Sequence, residues 1–128
     1  MRFEYNKDDK RRCEILGITP NYMGGYYGID KMNIEQLNML LEENFIDPDE
    51  CQNCSPSTME FKEFMEAYPG VTAHGYIISP ERGDYRVTIE GLNYVGDTTK
   101  EMLFEFMDLF RSADDFSCSE GHLYCWYD

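Results

Sequence analysis

Cys51 and Cys54 are separated by two residues in the segment Glu50–Ser57, which has the sequence ECQNCSPS. Two thiols at this spacing can hold a metal ion or cycle through a disulfide. Redox chemistry is disfavoured, because the next helix is predicted to begin near Ser57, after both cysteines, and because the preceding acids oppose thiolate formation. The simplest interpretation is that both cysteines are small residues of a polar loop.

A zinc site is the alternative interpretation of this pair. Tetrahedral Zn²⁺ needs four thiolate or imidazole ligands, and the sequence has no second Cys-x-x-Cys pair. The other candidate ligands are Cys13, His74, Cys118, His122 and Cys125. His122 and Cys125 would point to opposite faces of a regular strand, whereas Cys118 and His122 flank a predicted turn and could converge across it. The zinc hypothesis therefore combines Cys51 and Cys54 with two of Cys118, His122 and Cys125, of which the first two are preferred.

His74 and Glu90 are predicted to lie opposite each other on two antiparallel strands. A histidine held by a carboxylate is the arrangement that a general base needs. The sequence places no Ser or Cys nucleophile beside this pair, so a cross-strand ion pair at the surface explains it more simply. A hydrolase built on His74 and Glu90 is therefore the most distant of the hypotheses.

The charge of the chain favours a basic partner. Its 128 residues include 25 acids against 11 Lys and Arg, which gives a formal net charge of −14. Such a surface repels phosphate backbones and attracts basic proteins, so we expect no direct nucleic-acid binding. The sequence shows neither a signal-peptide pattern nor an apolar run of about eighteen residues, and its five cysteines are an odd number. We therefore expect a cytoplasmic protein that binds no membrane and, outside the zinc hypothesis, no cofactor.

Two groups of residues are candidate contacts for a basic partner. Segment 19–30 carries three tyrosines, whose rings offer broad contact area with a polar tip, although they could equally pack beneath their own loop. Carboxylates in two further segments would steer the partner during association. The candidate anchors are Tyr22, Tyr26 and Tyr27, and the candidate steering residues are Asp47, Asp49, Glu50, Asp114 and Asp115.

Hydrophobic periodicity and capping residues predict four helices. The first covers residues 6–15, and the last runs to about residue 112. Capping boxes of the form Ser/Thr/Asn-x-x-Glu/Gln mark the starts of the other three helices: Asn33 with Gln36, Ser57 with Glu60, and Thr98 with Glu101.

Alternation of apolar and polar residues predicts two β-hairpins. The first pairs residues 71–79 with 85–92, and the second turns at residues 119–121. Segment 19–30, rich in glycine, is predicted to be a loop. The order of the elements predicts a single α+β domain over residues 1–128, in which an antiparallel sheet of about four strands packs against three to four helices.

Two predicted elements carry more apolar surface than one buried face requires. In the last helix, the inward stripe is predicted to comprise Leu103, Phe106, Met107 and Phe110, widened by Met102 and Leu109, with Phe104 off the stripe. Such a helix is either central in the core or shares a face with a second chain, so the sequence allows a monomer or a homodimer. The terminal strand, LYCWYD, is apolar or aromatic on both faces. It is either central and covered on both sides, which is the preferred interpretation, or one of its faces meets a partner.

The favoured hypothesis is a non-catalytic protein-binding module with a basic partner. Nuclease inhibitors, immunity proteins and nucleic-acid mimics work in this way, since a carboxylate-rich surface complements a basic one. The alternatives are a zinc-stabilised domain and, more distantly, a hydrolase.

Overall fold

The computed structural model describes residues 2–128, which form four α-helices and a five-stranded antiparallel sheet. The helices are α1 (Asp9–Leu16), α2 (Ile34–Glu42), α3 (Thr58–Ala67) and α4 (Lys100–Phe110). The strands are β1 (Tyr26–Met32), β2 (Thr72–Ile78), β3 (Val87–Val95), β4 (Asp115–Ser119) and β5 (His122–Trp126). The predicted α+β class is confirmed, with five strands where about four were expected.

The helices begin at capping residues. The Asn33 side chain accepts the backbone N–H of Gln36, and the Gln36 side chain accepts that of Asn33, at 2.8 and 2.9 Å. Ser57 and Glu60 make the same reciprocal pair at the start of α3. These two predicted capping boxes are confirmed, and they satisfy backbone donors that have no partner within the helix. The cap of α4 is Thr99, one residue later than predicted.

The fifth strand is β1, whose residues 26–30 belong to segment 19–30, which was predicted to be a loop. The sheet order is β1-β2-β3-β5-β4, and every pair of neighbours is antiparallel. In β1 the register shifts between Ile29 and Met32, both of which are buried. This bulge interrupts the alternation of apolar and polar residues, so the strand pattern was not visible in the sequence.

The predicted register between β2 and β3 is correct over part of its length. Gly75 pairs with Ile89 as expected, but His74 pairs with Gly91 instead of Glu90. The prediction of an opposed His74–Glu90 pair is wrong, because Glu90 is the extra residue of a β-bulge in β3.

One face of the sheet is covered by all four helices. The buried residues of each helix and the inward-facing residues of each strand belong to the same hydrophobic cluster. Phenylalanine rings occupy its centre: Phe61 stacks on Phe110 at 5.6 Å, and Phe64 packs edge-on against Phe110 at 5.4 Å. These contacts place α3 and α4 side by side over the middle of the sheet.

The buried stripe of α4 differs from the predicted one. Met102, Phe106 and Phe110 are buried at four-residue spacing, and Leu103 is half-buried. Met107, predicted to face inward, is 40% exposed. A spacing of four rotates the stripe slightly around the helix, and this moves Met107 to the flank of α4.

A buried arginine ties α1 to the sheet. Arg12 has no exposed surface, and its guanidinium donates to the carbonyl oxygen of Ile78 at 2.8 Å and to that of Arg86 at 3.3 Å. It also forms an ion pair with Asp9 at 2.8 Å and lies 4.2 Å above the ring of Tyr85. The charge is thus compensated by a carboxylate, carbonyl oxygens and a π-face.

Candidate protein-binding surface

The sheet face opposite the helices, here called the outer face, carries half-buried aromatic side chains. His74 and Tyr76 project from β2, and Tyr124 and Trp126 project from β5. These positions alternate with buried residues that face the helices. The rings of His74 and Tyr124 stack with their centroids 5.3 Å apart. The stack lies over Gly91, where a Cβ atom would come within 2.8 Å of His74 Nε2, so the missing side chain makes room for it.

Carboxylates border these rings. Asp30 and Glu90 line a groove of about 580 Å³ together with His74 and Tyr124. Burial lowers the pKa of His74, although the nearby Asp30 carboxylate opposes this shift. His74 Nε2 has no hydrogen-bond partner among residues 2–128, and no contact with Glu90 orients the ring. Lys31 also lines the groove, which therefore carries two carboxylates against one lysine. It does not contain the oriented histidine–carboxylate pair that a general base requires.

Glu50 points inward from the loop between α2 and α3. Its carboxylate accepts hydrogen bonds from Thr88 Oγ1 at 2.9 Å and from the Tyr5 hydroxyl at 3.3 Å, and Arg86 lies 4.0 Å away. Burial raises the pKa of the Glu50 carboxyl, while Thr88 and Arg86 act in the opposite direction. In this position Glu50 holds the loop to β3 and presents only 19% of its side chain to solvent.

The other predicted steering carboxylates lie nearer the surface. Asp49, Asp114 and Asp115 are exposed, and Asp47 is half-buried. The side chain of Asn53 donates to the carbonyl oxygen of Asp128, whose backbone N–H donates to Asp114. These two bonds tie the loop between α2 and α3 to the start of β4. The structure therefore brings the two predicted acidic segments to the same end of the sheet.

The three predicted tyrosine anchors occupy different environments. Tyr26 begins β1 and is 53% exposed, beside the outer face. Tyr27 is half-buried and packs against the hydrophobic core. The Tyr22 hydroxyl donates to Asp9 at 2.6 Å and accepts from Arg12 at 3.0 Å, as part of the buried arginine network. Tyr26 thus presents its ring to solvent, whereas Tyr22 and Tyr27 are engaged within the fold.

The residues of the zinc hypothesis lie at two ends of β5. Cys51 and Cys54 are exposed in a loop that hydrogen-bonds to residues 127–128. Cys118 and His122 flank the turn at the opposite end of the strand. The five residue-to-residue steps of extended chain from 122 to 127 span about 17 Å. Ligands of one zinc ion lie about 2.0–2.3 Å from it, so these two pairs do not converge.

Cys118 and His122 also face different sides of the sheet. The Cys118 thiol lies 3.7 Å from the carbonyl oxygen of Leu103 in α4, whereas His122 Nδ1 lies 3.5 Å from Ser117 Oγ. Cys125 is fully buried, and burial raises the pKa of its thiol to about 12. Within residues 2–128, no three His, Cys, Asp or Glu side chains are grouped so that they could share a metal ion. The geometry gives the zinc hypothesis no support.

An apolar flank of α4 lies beside the open edge of the sheet. Phe104 is 67% exposed and Met107 is 40% exposed, one helical turn apart. The neighbouring Leu103 contributes the backbone oxygen that Cys118 of β4 approaches, so this flank adjoins β4. Together, Leu103, Phe104 and Met107 form what we call the α4 flank.

The wide apolar surface of α4 was visible in the sequence, but its position beside the open edge of the sheet and the aromatic outer face were not. The alternation of aromatic residues in HLYCWY was visible, but both sides of that strand were predicted to be covered. In the structure β5 is an interior strand between β3 and β4. Its inward side meets the helices, and its outward side carries the rings. Which side a sheet leaves uncovered depends on helix placement, which strand periodicity does not encode.

No helix within the described residues combines the length and the apolarity that crossing a membrane requires. Comparisons of the chain with protein-family models, with curated proteins and with solved structures gave no match. The chemistry of this surface is therefore interpreted from its own residues.

Proposed function

We propose that the protein is a non-catalytic binding module whose partner is a basic protein, and that it acts as an inhibitor, an immunity protein or a nucleic-acid mimic. The proposal is carried by carboxylates around the aromatic outer face: Asp30, Glu90, Asp114 and Asp115. No Lys or Arg within residues 2–128 forms an ion pair with any of them. At the β5 end of this face, Tyr124 and Trp126 are bordered by these carboxylates, whereas Tyr26 and Tyr76 at the other end lie beside Arg82 and Arg86. The β5 end suits a partner that presents Lys or Arg among apolar residues.

The distribution of charge along the chain supports this proposal. Basic side chains in the first two thirds of the chain are largely held in ion pairs: Arg11 with Glu43, Arg12 with Asp9, Lys62 with Glu66, and Arg82 and Arg86 with Asp84. Residues 87–128, which supply β3, α4, β4 and β5, contain nine Asp and Glu against two Lys and Arg. Residues 87–128 therefore carry half of the net charge of −14 in one third of the chain, and this higher density of negative charge can steer a basic protein toward β4 and β5.

The rings provide the contact energy that charge alone does not. Tyrosine and tryptophan are enriched at the centres of interfaces, because each buries a large area with few rotatable bonds. Tyr124 and Trp126 lie on the outer face, with Tyr26 at its margin. Tyr76 lies on the same face, but its hydroxyl donates to Gln52 at 2.9 Å and accepts from Arg86 at 2.8 Å, so it is engaged within the fold. We place the protein in the cytoplasm, where its five free cysteines would stay reduced.

Binding of fluorescent poly-L-lysine tests the proposal. Its affinity should fall steeply between about 10 and about 150 mM NaCl, since the Debye length shortens from about 30 to about 8 Å. A variant with Asp114→Lys and Asp115→Lys should bind at least about tenfold more weakly than the wild type. The matched control, Glu42→Lys with Glu63→Lys, makes the same change in net charge at exposed helix positions away from the outer face.

Equal weakening of the two double variants would refute the proposal, because net charge rather than this surface would then govern binding. An affinity that does not change with salt would also refute it. Circular dichroism of both variants verifies that each retains the wild-type fold.

A further inference from the structure

We propose that the basic partner docks by adding an extended segment to the open edge of β4, and that this segment alternates apolar and basic residues. The inference rests on the proposed function and adds to it the mode of binding. In this mode, backbone hydrogen bonds supply affinity and alternate side chains supply specificity.

The edge at β4 is open to pairing. Its register with β5 is unbroken from Asp115, opposite Trp126, to Ser119, opposite His122. Alternate residues of such a strand direct their N–H and C=O groups away from the existing partner. Natural edge strands are commonly protected by short length, charged side chains, proline or a bulge. The β4 strand, with the sequence DFSCS, is five residues long and has no lysine, proline or bulge, and Asp115 is its one charged side chain.

The opposite edge of the sheet shows the contrast. The β1 strand contains a bulge between Ile29 and Met32, and Lys31 lies within it. Both features discourage pairing with another chain. The two edges are therefore not equivalent, and β4 is the one suited to receive a strand.

The α4 flank provides an apolar shelf beside this edge. On the other side of α4, Glu105 accepts a hydrogen bond from Tyr68 of α3 at 2.7 Å, so that side faces the helical layer. Met107 lies on the side away from α3, and Leu103 on the same side adjoins β4. Phe104 lies above them, toward solvent, since it is two positions from the fully buried Phe106. A strand added to β4 would run beneath these side chains and cover them.

The chemistry on the two sides of β4 defines the sequence of the incoming segment. Side chains that point toward the helices would meet Leu103, Phe104 and Met107, so they should be apolar. Side chains that point to the outer face would meet the exposed carboxylate of Asp115, so they should be basic. Because strand side chains alternate between the two faces, the segment should alternate apolar and basic residues.

A second copy of this chain fits the edge poorly. Two β4 strands paired antiparallel about Ser117 would place Asp114 of each copy near Glu120 of the other. Like charges that face each other across strands are destabilising, and each copy carries a net charge of −14. Charge complementarity therefore selects a basic partner over self-association.

The test is an amide NMR titration of the ¹⁵N-labelled protein with a short peptide of alternating valine and lysine. The control peptide has the same composition with its lysines in one block. The alternating peptide should shift the amide signals of β4 and of the α4 flank and should slow hydrogen exchange in β4. The block peptide should bind at least about tenfold more weakly, since it cannot match both faces.

Two substitutions sharpen the test. Ser117→Lys adds a cation at the exposed centre of β4, and Phe104→Ala removes the largest side chain of the shelf. Each should weaken binding of the alternating peptide about tenfold. Leu109→Ala is the matched control, because Leu109 is as exposed as Met107 but lies on a different side of α4; this variant should bind like the wild type.

Three other results of the titration would refute the proposed docking of a basic segment to β4. If the peptide binds but shifts signals elsewhere, the docking mode is wrong and the proposed function stands. If β4 signals depend on protein concentration without peptide, the edge serves a second copy. If neither this peptide nor poly-L-lysine binds, both the docking mode and the proposed function fail.

Discussion

Replacing Arg12 by methionine should destabilise the fold more than any exposed substitution on the same helix. Arg12→Met keeps an apolar side chain that reaches about as far as Nε of arginine but removes the guanidinium. The guanidinium is fully buried and donates to Asp9, Tyr22 and two backbone carbonyl oxygens of the β2–β3 hairpin. Its loss leaves the Asp9 carboxylate without its cation and deprives the Ile78 carbonyl oxygen of a 2.8 Å hydrogen bond.

The size of the effect follows from these contacts. The Asp9 carboxylate is 25% exposed, but the loss of its ion pair combines with two backbone carbonyl oxygens that lose their donor. Together these losses should cost about 3–5 kcal/mol. A loss of that size is a large fraction of the roughly 5–15 kcal/mol that stabilises a typical domain. With a urea m value of about 1.5 kcal/mol/M, the unfolding midpoint should fall by about 2–3 M.

Urea unfolding followed by circular dichroism measures this change, and fluorescence of Trp126, the only tryptophan, gives a second probe. Arg11→Met is the matched control, because Arg11 makes a bidentate pair with Glu43 at 2.7 and 2.8 Å but remains partly exposed. Its midpoint should stay much closer to that of the wild type, since solvent screens such pairs. Equal midpoints for the two variants would refute the argument that burial of Arg12 makes its network strong.

Three further predictions concern the sheet. Gly91→Ala should destabilise the fold by about 1–3 kcal/mol in urea unfolding, because the added Cβ would lie 1.8 Å from the backbone oxygen of Cys125 in β5. Gly28→Ala is the control and should be nearly neutral, because no atom lies within 4 Å of the position of its Cβ. The buried Cys125 thiol should resist a thiol reagent until urea unfolds the chain, while the two loop thiols react at once. Burial lowers the pKa of His74 in the folded chain, so below about pH 6.5 the unfolded chain binds more protons than the folded chain. The free energy of unfolding should therefore decrease as the pH is lowered through this range. An NMR titration of His74 and a flatter pH profile of stability for His74→Gln check this, and a His74 pKa above 6.5 would contradict it.

Local sequence patterns predicted much of the secondary structure. Asn33 and Ser57 start their helices because each side chain can satisfy a backbone N–H one turn ahead, a contact that involves only neighbouring residues. The turn between β4 and β5 likewise falls at Glu120 and Gly121, where Gly121 adopts a positive φ of 83°. Such features depend on a few adjacent residues and can be found without knowledge of the fold.

The arrangement of the candidate surface could not be found in this way. The bulge at Glu90 displaces His74 from its predicted partner, and the pairing of strands distant in the sequence decides where a bulge falls. Glu50 appeared to be a surface carboxylate, yet Thr88 and Tyr5, 38 and 45 residues away, hold it inward. Contacts at such separations depend on the packing of the whole chain.

The sequence by itself determined the α+β class, two of the three predicted capping boxes, the first hairpin in part, and a strongly negative charge. These properties follow from local backbone chemistry, hydrophobic period and composition. Only the tertiary structure decided that β1 completes the sheet, that the rings of Tyr124 and Trp126 lie on the face opposite the helices, and that β4 forms an edge of the sheet next to α4. The physical reason is that the order of strands and the side on which helices pack result from long-range burial of apolar surface, which no short segment specifies.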